Sequence, residues 1–283
     1  MSLNHFIPTI WSAKLFSELD KAHVLVARCN RDYEGEISQF GDSVKINAIG
    51  DITVSDYTKN TTSVSAQELS DAQTILEIDQ NKYFAFFVDD IDKAQQKPKV
   101  MGEAMRKAAY ALRDASDTFV ASKHAEAGTK LALGNTKAAK AIEHLSTISR
   151  ALHEKNVSQE GRWLVAPPWF IAKLVLAKII STDGSVDANT EWSNGWVGRA
   201  LGFDIYMSNN TPEHGSSSPT TPRHYLLAGT NRAMTFAQQI LQMEAYRPES
   251  KFADAVKGLY VYGHKIVDPN ALVRGDATFE AES

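Results

Sequence analysis

The chain has a single cysteine, Cys29, among its 283 residues. A lone cysteine forms no intramolecular disulfide, which excludes a small scaffold held together by disulfides. Cys29 is also not part of a Cys-His signature of the kind that marks a cysteine nucleophile. We therefore expect Cys29 to be a buried structural thiol.

A long hydrophobic run is missing as well. The most apolar stretch, residues 163–180, is interrupted by two prolines and two lysines, so we expect no segment to span a membrane. Residues 1–9 lack the basic start and the long apolar run of a signal peptide. We expect a chain that is made and folded in a cytoplasm and has no membrane partner.

The sequence has no excess of basic residues. Lysine and arginine number 30 against 34 aspartates and glutamates, which gives a net charge of -4 with the two signs interspersed. A protein whose main task is to grip nucleic acid normally shows a basic excess or a basic stripe. Any contact with DNA is therefore expected to be weak and independent of base sequence.

Motifs of catalysis are absent from the chain. Neither Gly-x-Ser-x-Gly, nor a Walker loop, nor Gly-x-Gly-x-x-Gly occurs, and the eight histidines are scattered without a His-x-x-x-His pair. We expect no enzymatic activity, no cofactor and no metal site. A hydrolase with an unrecognised site remains an alternative from another class, which a broad hydrolase screen would distinguish.

Helical spacing is the strongest positive signal. Apolar residues recur at intervals of 4, 3, 4, 3 and 4 from Met101 to Phe119, which predicts an amphipathic helix over residues 98–126. Such a helix would be roughly 40 Å long. A second amphipathic pattern containing Trp11 and Leu15 predicts a helix over Ile10–Arg28. Further helices are expected over Lys137–Glu154 and after Pro168.

Alternating apolar residues predict several strands. Residues 41–88 combine such patterns with a serine- and threonine-rich middle, which indicates a two-stranded excursion with a polar tip. A two-stranded ribbon is marginally stable alone, so it needs its own body or another chain to hold it. Other strands are expected at Trp163–Val165, Phe203–Met207, Tyr225–Ala228, Ala233–Ala237, Met243–Tyr246 and Ala255–Val267. Helices and strands do not alternate regularly, which indicates the α+β class.

An ordered set of motifs resembles the coat proteins of tailed bacteriophages. No single motif is specific, but together they keep the order of the family along nearly the whole chain. They are Ile7–Ser12, Asn30–Ile37, Gly41–Ile46, Gly198–Asn210, Tyr225–Gly229 and Pro269–Val273. The chain thus resembles a major capsid protein with the Hong Kong 97-like fold.

The resemblance implies a division of the chain into four parts. Residues 1–40 would form an N-terminal arm and residues 41–88 an extended hairpin, the E-loop, with its flanking strands. Residues 89–135 and 250–283 would form a peripheral domain that contains the long spine helix, and residues 136–249 an axial domain. The 283 residues leave little room for the large inserted domain of some relatives.

The resemblance also implies a function in assembly. Pentamers and hexamers of the chain would close into an icosahedral shell around double-stranded DNA, made in the bacterial host cytoplasm, with a scaffolding protein and a portal as further partners. We predict that contacts between copies concentrate in residues 1–88. The candidate contact residues are Trp11, Leu15, Tyr33, Tyr57 and Lys59. An encapsulin-type nanocompartment, which shares the fold and encloses an enzyme, remains an alternative.

Overall fold

The computed structural model describes residues 23–33, 41–49, 56, 59, 71–89, 100–179, 195–247 and 253–282. Its longest helix, α1, runs from Val100 to Ser122 and continues as a 3₁₀ turn over Lys123–Glu126. The predicted spine helix is thereby confirmed, at roughly 35 Å for the α-helical part. Its buried face is wider than the predicted stripe, because Ser116 and Asp117 are buried together with Met105 and Leu112.

Two antiparallel sheets contain the three strands that precede α1 in the chain. The first is a ribbon of two strands, β1 (Ser43–Ile49) and β2 (Asp71–Glu77). The second has three strands in the order β3 (Gln80–Asp89), β10 (Ala253–Ile266) and β9 (Met234–Tyr246). The predicted excursion is therefore correct for its two arms but wrong for Tyr83–Val88, because β3 pairs with β10 and not with the ribbon.

A six-stranded mixed sheet forms the other half of the molecule. Its strand order is β4-β11-β8-β5-β7-β6, and two helices, α2 (Ala138–Glu154) and α3 (Pro168–Leu176), pack against it. The strands are β4 (Thr129–Thr136), β5 (Trp163–Ala166), β6 (Trp196–Ala200), β7 (Phe203–Met207), β8 (Arg223–Gly229) and β11 (Leu272–Phe279).

The six-stranded sheet separates two hydrophobic clusters. Leu164 and Ala166 of β5 face the cluster formed with α2 and α3. Trp163 and Val165 face the opposite cluster, which contains α1 and residues of the three-stranded sheet. All four residues of β5 are buried, which explains why this strand is a continuous apolar run.

Two further sequence predictions need correction. The helix predicted over Ile10–Arg28 is wrong at its end, since residues 23–25 are not helical and a 3₁₀ turn covers only Val26–Arg28; residues 10–22 lie outside the described part. The two short strands predicted within residues 233–246 are one strand, β9. Strands β4, β6 and β11 were not predicted. The proposed domain bounds stay a prediction, and β4 and β11 lie in the same sheet as β5–β8.

Candidate assembly surfaces

The N-terminal segment, residues 23–33, is held to the body by a buried carboxylate of α1. Asp117 is 1% exposed, and its two oxygens accept hydrogen bonds from the backbone N–H groups of Val24 and Val26, each at 3.0 Å. These N–H groups would bond to preceding carbonyls in an α-helix. Here the Asp117 carboxylate accepts them instead, so this part of the segment is held against α1 without forming an α-helix.

Electrostatics at Asp117 are a balance of opposing effects. Burial raises the pKa of its carboxyl to about 6, while the N–H groups of the segment and the Arg113 guanidinium act in the opposite direction. The carboxyl is therefore ionised at neutral pH, where both oxygens accept hydrogen bonds. A buried charge of this kind is tolerated when hydrogen bonds satisfy it.

His23 adds a second contact on the same turn of α1. Its Nε2 lies 2.9 Å from the hydroxyl of Ser116, whose own hydrogen is donated to the Arg113 carbonyl at 2.9 Å. His23 must therefore donate from Nε2. Burial lowers its pKa to about 3, with the charges of Arg31 and Arg113 adding to the effect. The histidine is neutral at physiological pH, in agreement with this hydrogen-bond pattern.

The rest of the segment ties the two larger sheets together. Arg28 donates from Nη1 to the hydroxyl of Tyr206 on β7, at 2.7 Å. Asn30 forms a parallel bridge with Thr235 on β9, in which Asn30 donates to the Met234 carbonyl at 2.8 Å and accepts from the Phe236 amide at 2.9 Å. The segment thus contacts α1, β7 and β9 within the eight residues from His23 to Asn30.

Cys29 lies inside this N-terminal segment. It is 5% exposed, as the sequence predicted, and its thiol contacts the Leu25 carbonyl at 3.5 Å. Burial raises the pKa of the Cys29 thiol, and the Asp117 charge raises it further. A thiol in this state is unreactive while the segment stays in place.

The base of the ribbon packs on the three-stranded sheet. Apolar side chains of both ribbon strands form a buried cluster with β9 and β10; its members are Val44, Ile46, Leu76, Ile78, Ala237 and Val261. The ribbon backbone also approaches Gly263 of β10 closely. A Cβ at that position would lie 2.2 Å from the Glu77 carbonyl oxygen, so a glycine is needed there. The described pairing of the ribbon runs from Ser43 with Glu77 to Ile49 with Asp71.

The predicted contact residues fall in different environments. Tyr33 is half-buried and packs against the ribbon cluster, and Lys59 is exposed. Trp11, Leu15 and Tyr57 lie outside the described residues, so their role stays a prediction. Sequence reasoning missed Asp117, because an isolated acidic residue gives no local sign of a tertiary hydrogen-bond partner.

A cavity of about 340 Å³ lies between α1, Val24 and the turn after β7. Two of its polar groups serve local structure: Asp117 accepts the N–H groups of the N-terminal segment, and the Ser208 hydroxyl accepts from the Asn210 amide at 3.2 Å. In the described ranges, no three His, Cys, Asp or Glu side chains are placed to hold a metal ion. No helix in those ranges has the length and hydropathy to cross a bilayer.

Comparison with solved structures identifies the fold. A chain from mycobacterium phage Che8 superposes with a TM-score of 0.68 at 29% identity, over 89% of this chain and 90% of that one. A capsid structure of cyanophage P-SCSP1u has a TM-score of 0.65 at 18% identity, over 95% of this chain and 88% of that one. A virus-like particle from Pyrococcus furiosus has a TM-score of 0.59 at 15% identity, over 95% of this chain and 98% of that one. The protein therefore has the Hong Kong 97-like capsid fold.

The family follows from the sequence itself. Residues 71–275 match the family model described as phage capsid protein, and the chain belongs to this family. No curated protein matches the chain. The predicted major capsid protein of a tailed phage, a structural component of an icosahedral virion shell, is thereby confirmed.

Proposed function

We propose that the chain forms pentamers and hexamers that close into an icosahedral shell around double-stranded DNA. The observation that carries the proposal is the family match over residues 71–275 of a chain with the capsid fold. Shells of this kind use heterologous contacts, in which one surface meets a different surface of the neighbour. Each contact is modest, but many act together in the closed shell.

The ribbon and the N-terminal segment are the elements proposed to reach neighbouring copies. Each is anchored to the body where the structure describes it, the ribbon through its apolar cluster and the segment through Asp117. Because each element is attached to the body, the residues that follow it in the chain start from a fixed position on the subunit surface. Residues 50–70 and 1–22 would then meet neighbours from defined positions, which lowers the entropic cost of each contact.

A deletion in the ribbon tip tests this proposal. Residues 55–68 are replaced by Gly-Ser-Gly, which keeps Asp71 and all other described residues of β2. We expect a folded subunit with an unchanged urea unfolding midpoint that forms no shells in electron micrographs. The matched control replaces the same residues with a permuted order of the same sequence, which keeps length and charge. Normal shells from the deletion would contradict the role of the tip.

The remaining functions are proposed from the family and the composition. The net charge of -4 with interspersed signs suits a lining that holds packaged DNA without reading its sequence. A scaffolding protein and a portal would be further partners, with synthesis in the host cytoplasm. The chain would act by assembly and not by catalysis, and a broad hydrolase screen on purified shells tests that part.

The encapsulin alternative is supported by the match to the virus-like particle from Pyrococcus furiosus, which shows the fold alone at 15% identity. The contents of purified particles distinguish the two. Nuclease-protected double-stranded DNA supports the phage shell, and a single enriched protein cargo supports the nanocompartment.

A further inference from the structure

The three-stranded sheet has one face that its own chain covers only in part. The opposite face is packed on α1, where Val256 and Tyr260 of β10 share a cluster with Met105 and Leu112. On the face away from α1, the ribbon covers Val261 and approaches Gly263. Side chains alternate along a strand, so Leu259 and Lys257 of β10 point to this same face but beyond the ribbon.

The part of this face beyond the ribbon is rich in exposed aromatic residues. Strand register places Tyr83 beside Leu259, and Phe87 and Tyr246 on either side of Ala255. Tyr83 is 80% exposed, Phe87 56% and Tyr246 45%. We call these residues, with Ala85, Lys257 and Glu244, the aromatic patch.

The charges of the aromatic patch neutralise each other. Lys257 and Glu244 are cross-strand neighbours whose Nζ and Oε2 atoms lie 2.8 Å apart. The same Nζ lies 5.3 Å from the ring centroid of Tyr246. A shallow cavity of about 240 Å³ opens between Tyr83, Leu259 and this ion pair. The patch thus combines large apolar side chains, no net charge and a concave centre.

This chemistry fits a protein partner. Aromatic residues around a depression are typical of the centre of protein–protein interfaces. A neutral patch offers nothing to the phosphates of DNA, whose binding depends on unpaired cations. The same sheet face already accepts apolar strand side chains from the ribbon of its own chain. The partner with a known reason to be present is a second copy, because the chain belongs to a family of shell subunits.

We propose that the aromatic patch is a contact surface between copies of this chain in the shell. The proposal rests on the proposed assembly function and adds a surface that lies on the body of the subunit, outside the ribbon tip and the N-terminal arm. It also locates contacts at Glu244, Tyr246 and Lys257, beyond the range 1–88 where sequence reasoning placed them.

A thiol probe tests the patch directly. Ala85→Cys introduces a small side chain on the exposed patch face, and the native thiol, Cys29, is buried with a raised pKa. The variant therefore has one accessible thiol. Maleimide labelling is followed on the same variant as free subunits and as purified shells, with the wild type as the baseline. We expect labelling to be at least about tenfold slower in shells, as for a group buried in an interface. Equal rates in the two states would overturn the proposal.

Substitution of the aromatic residues tests whether the patch contributes to assembly. Tyr83→Ser and Tyr246→Ser should each raise the subunit concentration for half-maximal assembly about tenfold. The control is Leu176→Ser on α3, where the native side chain is 62% exposed and lies outside the patch. Urea unfolding midpoints establish that each subunit folds.

The outcomes separate this proposal from the assembly function. Wild-type shells together with normal assembly of both tyrosine variants would refute the patch and leave the assembly function standing. A wild type that stays monomeric at every concentration, with and without a scaffolding protein, would refute both. If a tyrosine variant does not fold, the labelling of Ala85→Cys decides the question, because that change is nearly isosteric.

Discussion

The two hydrogen bonds that Asp117 accepts from the N-terminal segment predict how often that segment detaches from α1. Asp117→Ala leaves the N–H groups of Val24 and Val26 buried without an acceptor. A buried donor that loses its partner costs about 1–3 kcal/mol, so two such groups weaken the attachment of the segment by at least about 2 kcal/mol. A weakening of about 2 kcal/mol corresponds to an opening of the segment that is roughly 30-fold more frequent.

Cys29 reports this opening, because it is the sole cysteine and is buried within the same segment. Maleimide labelling of the native subunit should be roughly 30-fold faster in Asp117→Ala than in the wild type. The matched control is Asp114→Ala, since Asp114 lies one turn earlier on α1 and is exposed. A labelling rate of Asp117→Ala within about threefold of the wild-type rate would falsify the role of Asp117 in holding the N-terminal segment on α1.

Asp117 also predicts a pH dependence of stability. Its pKa of about 6 in the folded state lies above the value of 3.8 for an unperturbed aspartate, so the folded state holds an extra proton between these values. The contribution of this group to the free energy of unfolding is therefore largest below about pH 4, falls as the pH rises to about 6, and is constant above. The difference between wild type and Asp117→Asn in urea unfolding from pH 4 to 7 should follow this curve. A constant difference would contradict it.

Three further predictions concern other parts of the fold. Gly263→Ala should push the ribbon off the sheet through the clash with the Glu77 carbonyl, which would destabilise the subunit by about 1–3 kcal/mol and speed hydrogen exchange in β1 and β2. Burial lowers the pKa of His264 from 6.5 to about 3. The contribution of this neutral histidine to the free energy of unfolding is therefore at its full size above pH 6.5 and is lost as the pH falls toward 3. His264→Leu should make the loss of stability in acid less steep. Lys173→Met removes a buried ammonium that donates to the Glu280 carbonyl at 2.7 Å, which should lower the free energy of unfolding by about 1–3 kcal/mol in urea titrations.

Each of these changes has its own control. Lys265→Ala, an exposed change on the same strand as Gly263, should leave hydrogen exchange in the ribbon unaltered. His153→Leu alters an exposed histidine and should not change the acid limb as His264→Leu does. Lys140→Ala alters an exposed lysine on α2 and should cost less than about 0.5 kcal/mol. Stability of Lys173→Met equal to that of Lys140→Ala would show that the buried ammonium contributes nothing.

Local periodicity was sufficient where a single repeat ran through an element. The spacing from Met101 to Phe119 located α1, because a helix needs one continuous apolar face wherever it packs. Alternation failed in β9, where a bulge opposite Leu259 and Tyr260 shifts the pairing by one residue. The buried Gln238 in this strand accepts a hydrogen bond from the Tyr260 hydroxyl, so a polar residue occupies a core position that a hydrophobic pattern misses.

Two missed strands illustrate different limits. In β11, Arg274 and Asp276 form a paired ion bridge within the strand, and Gly275 admits the side chain of Leu133, so the strand carries no clear alternation. In β4, Leu131 and Leu133 do alternate with exposed residues, and that signal was available from the sequence. The prediction assigned no element between the helix over residues 98–126 and the helix over Lys137–Glu154.

The sequence by itself determined the α+β class, the long helix, the two arms of the ribbon and, through its ordered motifs, the capsid family. These depend on local spacing and on the order of segments, which a linear chain displays. Only the tertiary structure decided which groups meet: the carboxylate of Asp117 with the backbone of Val24 and Val26, the ribbon with Gly263, and the exposed tyrosines of the aromatic patch with one another on a single sheet face. The physical reason is that burial and hydrogen-bond partners come from residues far apart in sequence, and no local pattern records them.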